Sequence, residues 1–399
     1  MDNPPAARSR LPRGVWVLGF VSALMDISSE MVHSLLPLFL VGTLGLSVAA
    51  VGLIEGIAEA TALITKVVSG AWSDRLGRRK GLAVLGYAMG AFTKPFFALA
   101  TGLGVVVAAR FIDRVGKGLR GAPRDALLTD ITPPEIRGAA FGLRQSLDTL
   151  GAFIGPLLAA ALMLAWANDF RAVFWVAVIP GALAVALLML GISEPERPAA
   201  PGKTNPLSRA ALARLGGAYG WVLALGSVFT LARFSEAFLV LRAAEMGMPV
   251  AAVPLVMVAM NAVYAASAYP FGKLADSLSH HGLLAAGLVV LIAADLVLAQ
   301  GGNWWFLGLG VALWGLHMGM TQGLLAAMVA AVAPADLRGT AFGFFGLATG
   351  VAMLASSAIA GVLWQAFGSA RTFQAGAVFA TLSLLGILLA RARRAFTHS

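Results

Sequence analysis

Apolar residues fill this chain in twelve long blocks, and polar residues punctuate them in short stretches. The blocks run over about 14–40, 48–72, 81–100, 102–129, 136–166, 171–192, 217–243, 249–275, 282–300, 304–333, 337–366 and 370–391. Each holds the roughly 20 apolar residues that a helix needs to cross a bilayer. Backbone groups in lipid must be paired within the segment, so the blocks predict helices. The expected fold class is an all-α membrane protein.

The fourth block breaks the apolar pattern with RFIDRVGKGLRGAPRD, from Arg110 to Asp125. Placed on a helix at 100° per residue, Arg110, Asp113, Arg114, Lys117, Arg124 and Asp125 fall within about a third of the circumference, with Gly118 and Gly121 among them. A charge at the bilayer centre costs roughly 3 kcal/mol or more, so this stripe must face other helices, water or a solute. Two readings follow. The stripe is an ion-paired helix contact, or Arg110, Arg114 and Lys117 line a hydrophilic pathway.

Other polar residues recur at helical spacing. Asp26, Glu30 and His33 share one face of the first block, with Pro37 continuing that helix. Glu55, Glu59 and Lys66 share a face of the second, and Arg144 and Asp148 lie one turn apart in the fifth. Arg233 and Glu236 lie in the seventh block, Asn261, Tyr264 and Tyr269 in the eighth, Asp295 in the ninth, and Trp314, His317 and Thr321 in the tenth.

Composition narrows the class. The 399 residues are 59% hydrophobic and 12% charged, and the mean hydropathy is +0.84. This is the range of a polytopic helical membrane protein. The sequence contains 0 cysteines, which removes disulfide and thiol chemistry. In a soluble protein the net charge of +10 would suggest nucleic acid. Here the Lys and Arg gather at the N-terminus, 73–80, 193–214 and the C-terminal RARR, while the connections near 44–50, 100–104 and 300–303 hold none. That alternation predicts an even number of spans, both termini cytoplasmic, and no nucleic-acid partner. The first block lacks a small-residue cleavage site and is expected to be a retained helix.

The halves of the sequence repeat each other. Arg137-Gly138-Ala139-Ala140-Phe141-Gly142 recurs as Arg338-Gly339-Thr340-Ala341-Phe342-Gly343, and Gly70…Asp74 recurs as Gly272…Asp276. The repeat predicts a duplicated six-helix unit: an N-terminal bundle over 1–192, a cytoplasmic linker over 193–216 and a C-terminal bundle over 217–399. Repeated halves around a midplane pathway are an architecture of secondary transporters.

The stretch Gly70-Ala71-Trp72-Ser73-Asp74-Arg75-Leu76-Gly77-Arg78-Arg79-Lys80 resembles the signature that the major facilitator superfamily carries between its second and third helices. Arg110 stands where that family has a helix-4 arginine, and Gly116 and Gly118 follow as its glycines do. Gly151-x-x-x-Gly155-Pro156 resembles the motif of proton-coupled exporters, with Ala159 and Ala160 where glycines are usual. The resemblance implies twelve helices in two pseudo-symmetric six-helix bundles, working by alternating access. It also implies a gate latch built from Gly70, Asp74, Arg75, Arg78 and Asp125 or Asp130, although a basic loop there would also fix orientation. Gly151, Gly155 and Pro156 would then form a hinge, or merely a close-packed contact.

Proton coupling needs a carboxylate or histidine whose surroundings alternate, and Asp26, Glu30 and Asp148 are the candidates, with Arg144 as a partner for Asp148. Arg110, Arg114, Lys117 and Arg144 favour an anionic or zwitterionic solute, and Asn261, Tyr264, Trp314 and His317 suit its organic body. Gly116-Lys117 is not a phosphate loop, because Phe111 occupies the required upstream glycine position. No nucleophile–base set points to an enzyme, and no cofactor is expected. Asp26, Glu30 and His33 on one helix make an incomplete metal shell, so no metal is expected either. The expectation is a monomeric, proton-coupled transporter of a small organic solute in the inner membrane, exporting by antiport. The alternatives are proton-coupled uptake of an organic anion or metabolite, and multidrug efflux of lipophilic cations.

Overall fold

A computed structural model describes residues 11–76, 79–194, 214–321, 323–334 and 337–396. Its principal helices are α1 (Arg13–His33), α2 (Val48–Leu76), α3 (Arg79–Leu99), α4 (Leu103–Asp130), α5 (Arg137–Ala165), α6 (Phe170–Gly191), α7 (Gly216–Ala232), α8 (Ala237–Glu245), α9 (Leu255–Ser277), α10 (His280–Ala299), α11 (Trp304–Thr321), α12 (Leu324–Val332), α13 (Arg338–Phe367) and α14 (Ser369–Phe396). Among the described residues, eleven spans are long and apolar enough to cross a bilayer. The twelfth is α4, which has the length but carries the charged stripe. The repeated Arg137 and Arg338 each open a helix, at corresponding places in the two halves.

Three spans expected to be continuous are broken. The first does not continue through Pro37. α1 ends at His33, a single turn forms over Leu36–Leu38, and a wider π-helical turn follows over Phe39–Thr43. Proline has no N–H for the carbonyl four residues back, which is that of His33, and its ring crowds that carbonyl. The seventh span unwinds between α7 and α8 at Arg233–Ser235, without a proline. There α13 supplies the missing hydrogen bonds. Ser356 Oγ donates to the Arg233 carbonyl at 3.4 Å, and Ser357 Oγ accepts from the Ser235 N–H at 3.2 Å. The tenth span restarts at Gly323, whose φ of +80° suits glycine.

In the first half α1 packs against α5 and α6, and α4 lies between α2 and α3. In the second half α11 packs on α9 and α10, while α14 packs on α10 and α7. The halves join along α2 and α13, and again along α5 and α9. Glycines make the α2–α13 contact close. A Cβ on Gly52 would overlap the Ser357 carbonyl oxygen, one on Gly56 would lie 2.9 Å from that of Leu354, and one on Gly361 would lie 3.0 Å from that of Val48. This is small-residue packing, in which backbone meets backbone.

Candidate functional site

The charged stripe of α4 is held in place by glycines. A Cβ on Gly116 would lie 2.7 Å from the Gly86 carbonyl oxygen, and one on Gly118 would lie 2.6 Å from that of Ala62. Ser69 Oγ donates to the Gly118 carbonyl at 3.0 Å. α4 is therefore wedged between α2 and α3, and its polar side chains must find partners on those neighbours.

The partners form three tiers. In the first, Arg110 donates to Glu55 Oε2 at 2.6 Å, and His33 reaches Glu55 and Glu30 at 3.5 Å each. Ser235 Oγ, from the break in the seventh span, lies 3.4 Å from the same Glu55 oxygen and ties the second half to this tier. In the second, Arg114 meets Glu59 at 3.1 Å, and Lys94 meets Asp113 at 2.8 Å. In the third, Arg144 donates to Asp148 at 2.6 Å. Arg124 bonds Asp125 and Ser22 at 3.1 Å each. Arg120 stacks over the Tyr87 ring, 4.9 Å from its centroid.

Of the two readings of the stripe, this geometry favours the ion-paired helix contact for Arg110 and Arg114. Arg110 and Arg114 are 3% and 2% exposed and already face carboxylates, so neither offers a free fork to a solute. Lys117 is exposed and lies within electrostatic reach of Asp26, Glu30 and Glu59. Arg144 is committed to Asp148, the pairing its spacing suggested. On the other half, Trp314 and His317 are fully buried; His317 Nδ1 sits 2.8 Å from the Gly287 carbonyl oxygen. They pack the core of their half. Asn261 donates to the Ala152 carbonyl at 3.2 Å and joins the halves. Tyr264 stays half-buried, within electrostatic reach of Arg233 and Asp148.

Asp26, Glu30 and Asp148 are all half-buried. The hinge candidates stand directly behind two of them. Cβ atoms on Gly151 and Gly155 would lie 3.0 Å and 2.8 Å from the Cβ atoms of Asp26 and Glu30. Pro156 follows, buried within α5. Of the latch residues, Gly70 faces Ala122 at 3.4 Å, and Asp125 pairs with Arg124. The side chains of Asp74 and Arg75, and all of Arg78, lie outside the described residues. The neighbouring Arg79 bonds Asp130 at 2.5 Å and the Ala126 carbonyl at 2.9 Å.

Sequence reasoning passed over Glu55 and Glu59 as partners. Their i, i+4 spacing matches that of Arg110 and Arg114, and this was the available signal. It also passed over the broken seventh span. There Arg233 and Glu236 are half-buried, and Glu236 lies within electrostatic reach of His33, Glu30 and Glu59. Donor atoms of His33, Glu55 and Glu59 come within 4.8 Å of one another, as a metal site would need. Arg110 and Arg114 already neutralise the two carboxylates, so a divalent cation there would face two guanidiniums.

The sequence model of the Major Facilitator Superfamily matches residues 18–241. An uncharacterised MFS-type transporter of Methanocaldococcus jannaschii is 32% identical over 386 residues, covering 95% of this chain and 94% of that protein. The chain belongs to the Major Facilitator Superfamily. An inner membrane transport protein of Escherichia coli is 25% identical, covering 93% of this chain and 82% of its own length. A crystal structure of a POT family transporter in complex with 5-aminolevulinic acid superposes with a TM-score of 0.79 at 14% identity, covering 96% of each chain. At that identity the likeness speaks for the fold. In this superfamily member the two half-chains present charged groups to each other where the first and seventh spans are both interrupted. Interrupted helices at corresponding places in two repeats mark solute sites.

Proposed function

We propose that this protein is a proton-coupled secondary transporter of a small organic zwitterion or anion, working by alternating access. The two bundles, 1–192 and 217–399, rock about the solute, and the linker 193–216 lies in the cytoplasm with both termini. The membrane is the inner membrane. The direction is export in exchange for protons, on the strength of the Gly151–Pro156 motif packed against Asp26 and Glu30.

One observation carries the reading. Groups of both signs that the deep pairs leave accessible meet between the halves: Lys117 and Arg233 as cations, and Glu30 and Glu236 as carboxylates. Such a face suits a solute that carries both charges. Asp26, Glu30 and Asp148 would exchange the coupling protons. With Glu55 and Glu59 held by Arg110 and Arg114, the carboxyls of Asp26, Glu30 and Glu236 outnumber the cations Lys117 and Arg233 on this face, and that supports efflux of lipophilic cations as the second reading.

A thermal-shift screen of the purified protein separates the two. The panel holds amino acids and small organic acids, lipophilic cations and divalent metals, at mildly acidic and mildly alkaline pH. A ligand at a hundred times its dissociation constant stabilises by about 2.7 kcal/mol. Stabilisation by zwitterions or anions that is lost in Lys117→Ala and Arg233→Ala is the expected result. Stabilisation by lipophilic cations alone, lost in Glu236→Gln, would replace the first reading with the second.

A further inference from the structure

Among the described residues, the second half holds a fully buried carboxyl, that of Asp295, which no site above uses. Asp295 lies in α10, well inside the apolar span His280–Ala299. It is fully buried, and neither of its carboxyl oxygens has a hydrogen-bond partner. Buried polar groups are ordinarily paired, and an exception calls for an explanation.

Its surroundings are aromatic and tight. A Cβ on Gly376 of α14 would lie 2.6 Å from Asp295 Oδ2 and 3.0 Å from the Phe234 ring. Only a glycine lets α14 approach this carboxyl so closely. Phe234 in turn packs on Trp314 and Phe373, with ring centroids 5.4 Å and 5.5 Å away. The carboxyl and the Phe234 ring, which belongs to the unwound stretch between α7 and α8, thus border the same point on α14.

Among the described side chains, the ionisable groups on the surrounding elements have other partners in this geometry. On α11, His317 holds the Gly287 carbonyl, two turns and about 12 Å along α10 from residue 295. On α14, Arg371 bonds Gln374. On α8, Arg242 bonds Glu245, Ser369 and the carbonyls of Leu298 and Gln300. In the break itself, Arg233 lies within electrostatic reach of Glu236, Tyr264 and Glu59. α12 carries no ionisable residue.

We propose that Asp295 is a proton-binding site in the second half of the transporter, a neutral carboxyl sealed by Phe234 and opened when the break in the seventh span moves. A carboxylate here would be an unpaired charge in a dry, aromatic site, which is strongly disfavoured. Movement of Phe234 exposes the carboxyl to water of the pathway. Its O–H bond then breaks, the proton passes to water, and Arg233, which directly precedes Phe234, moves with it and supplies the compensating charge. This site is additional to Asp26, Glu30 and Asp148 and does not depend on which solute is carried.

Infrared spectroscopy of the purified wild type and of Asp295→Asn tests the site. The carbonyl stretch of a protonated carboxyl is distinct from that of a carboxylate and shifts in heavy water. The wild type is expected to show such a band at neutral pH. Asp295→Asn, an isostere of the neutral acid, is expected to lose that component while keeping its helical circular dichroism and monodisperse elution. An alkaline pH step should release fewer protons from the variant than from the wild type. Spectra and proton release that match the wild type would overturn the proposal. Should the amide variant fail to fold, Asp295→Ala is read in the same way. If neither variant folds, the carboxyl is structural and the proposal falls.

Discussion

Replacing Arg110 with alanine is expected to destabilise the protein by about 3–5 kcal/mol, the range seen when one partner of a buried ion pair is removed. The loss comes from what is left behind. Glu55 is fully buried, and its other oxygen already lacks a partner. Without the guanidinium at 2.6 Å, only His33 at 3.5 Å and the Ser235 hydroxyl at 3.4 Å remain to hold the charge. Thermal unfolding of the detergent-solubilised protein measures the effect. The double substitution Arg110→Ala with Glu55→Gln should recover most of it, because the neutral amide needs no counter-charge. An Arg110→Ala protein as stable as the wild type would mean that water reaches Glu55, and the tier would then belong to the pathway after all.

The second large effect is expected at the junction of the halves. Gly52→Val puts a branched side chain where even a Cβ overlaps the Ser357 carbonyl oxygen. Overpacking a tight contact costs about 1–3 kcal/mol and sometimes more. Here the neighbour is backbone and cannot turn aside. Separation of α2 from α13 also pulls on Ser357, which accepts the Ser235 N–H at the helix break. Both stability and solute binding should suffer together. Gly104→Ala is the control, since its Cβ would meet nothing within 4 Å. That change should be neutral or stabilising by up to ~1 kcal/mol, through reduced freedom of the unfolded chain. If Gly52→Val unfolds and binds as Gly104→Ala does, the seam is looser than its glycines indicate.

The architecture was legible because lipid leaves few choices. Twelve apolar blocks, alternating basic connections and the 137–142/338–343 repeat specify the spans and their duplication without any contact being known. The charged stripe of α4 was legible as something that must be buried. Its partners were not, because the stripe records where charges lie on one helix and says nothing of which neighbour answers them. Two guanidiniums four residues apart can serve a solute or two carboxylates four residues apart, and the structure gives them to Glu55 and Glu59. The interruption at Pro37 had a visible local cause, while that at Arg233–Ser235 did not. It depends on Ser356 and Ser357, more than a hundred residues away in sequence. Trp314 and His317 read as ligands by type and face, but a face can turn inward, and theirs is buried in the core.

The seam between α2 and α13 bears on motion as well as on packing. Along it, Gly52, Gly56 and Gly361 bring main chain against main chain, while Gly350 meets the Ile64 side chain. Interlocked side chains resist rolling, since each must change rotamer to pass its neighbour. Where peptide groups face each other, no rotamer stands in the way. In the proposed alternating access, the two bundles would tilt about this seam as a knuckle turns in its socket, with the axis fixed while the mouths on either side widen and narrow. The resistance to that tilt would then come from the charged tiers beside the seam, where Glu55 holds the hydroxyl of Ser235, and a solute or a proton arriving there would change how easily the joint moves.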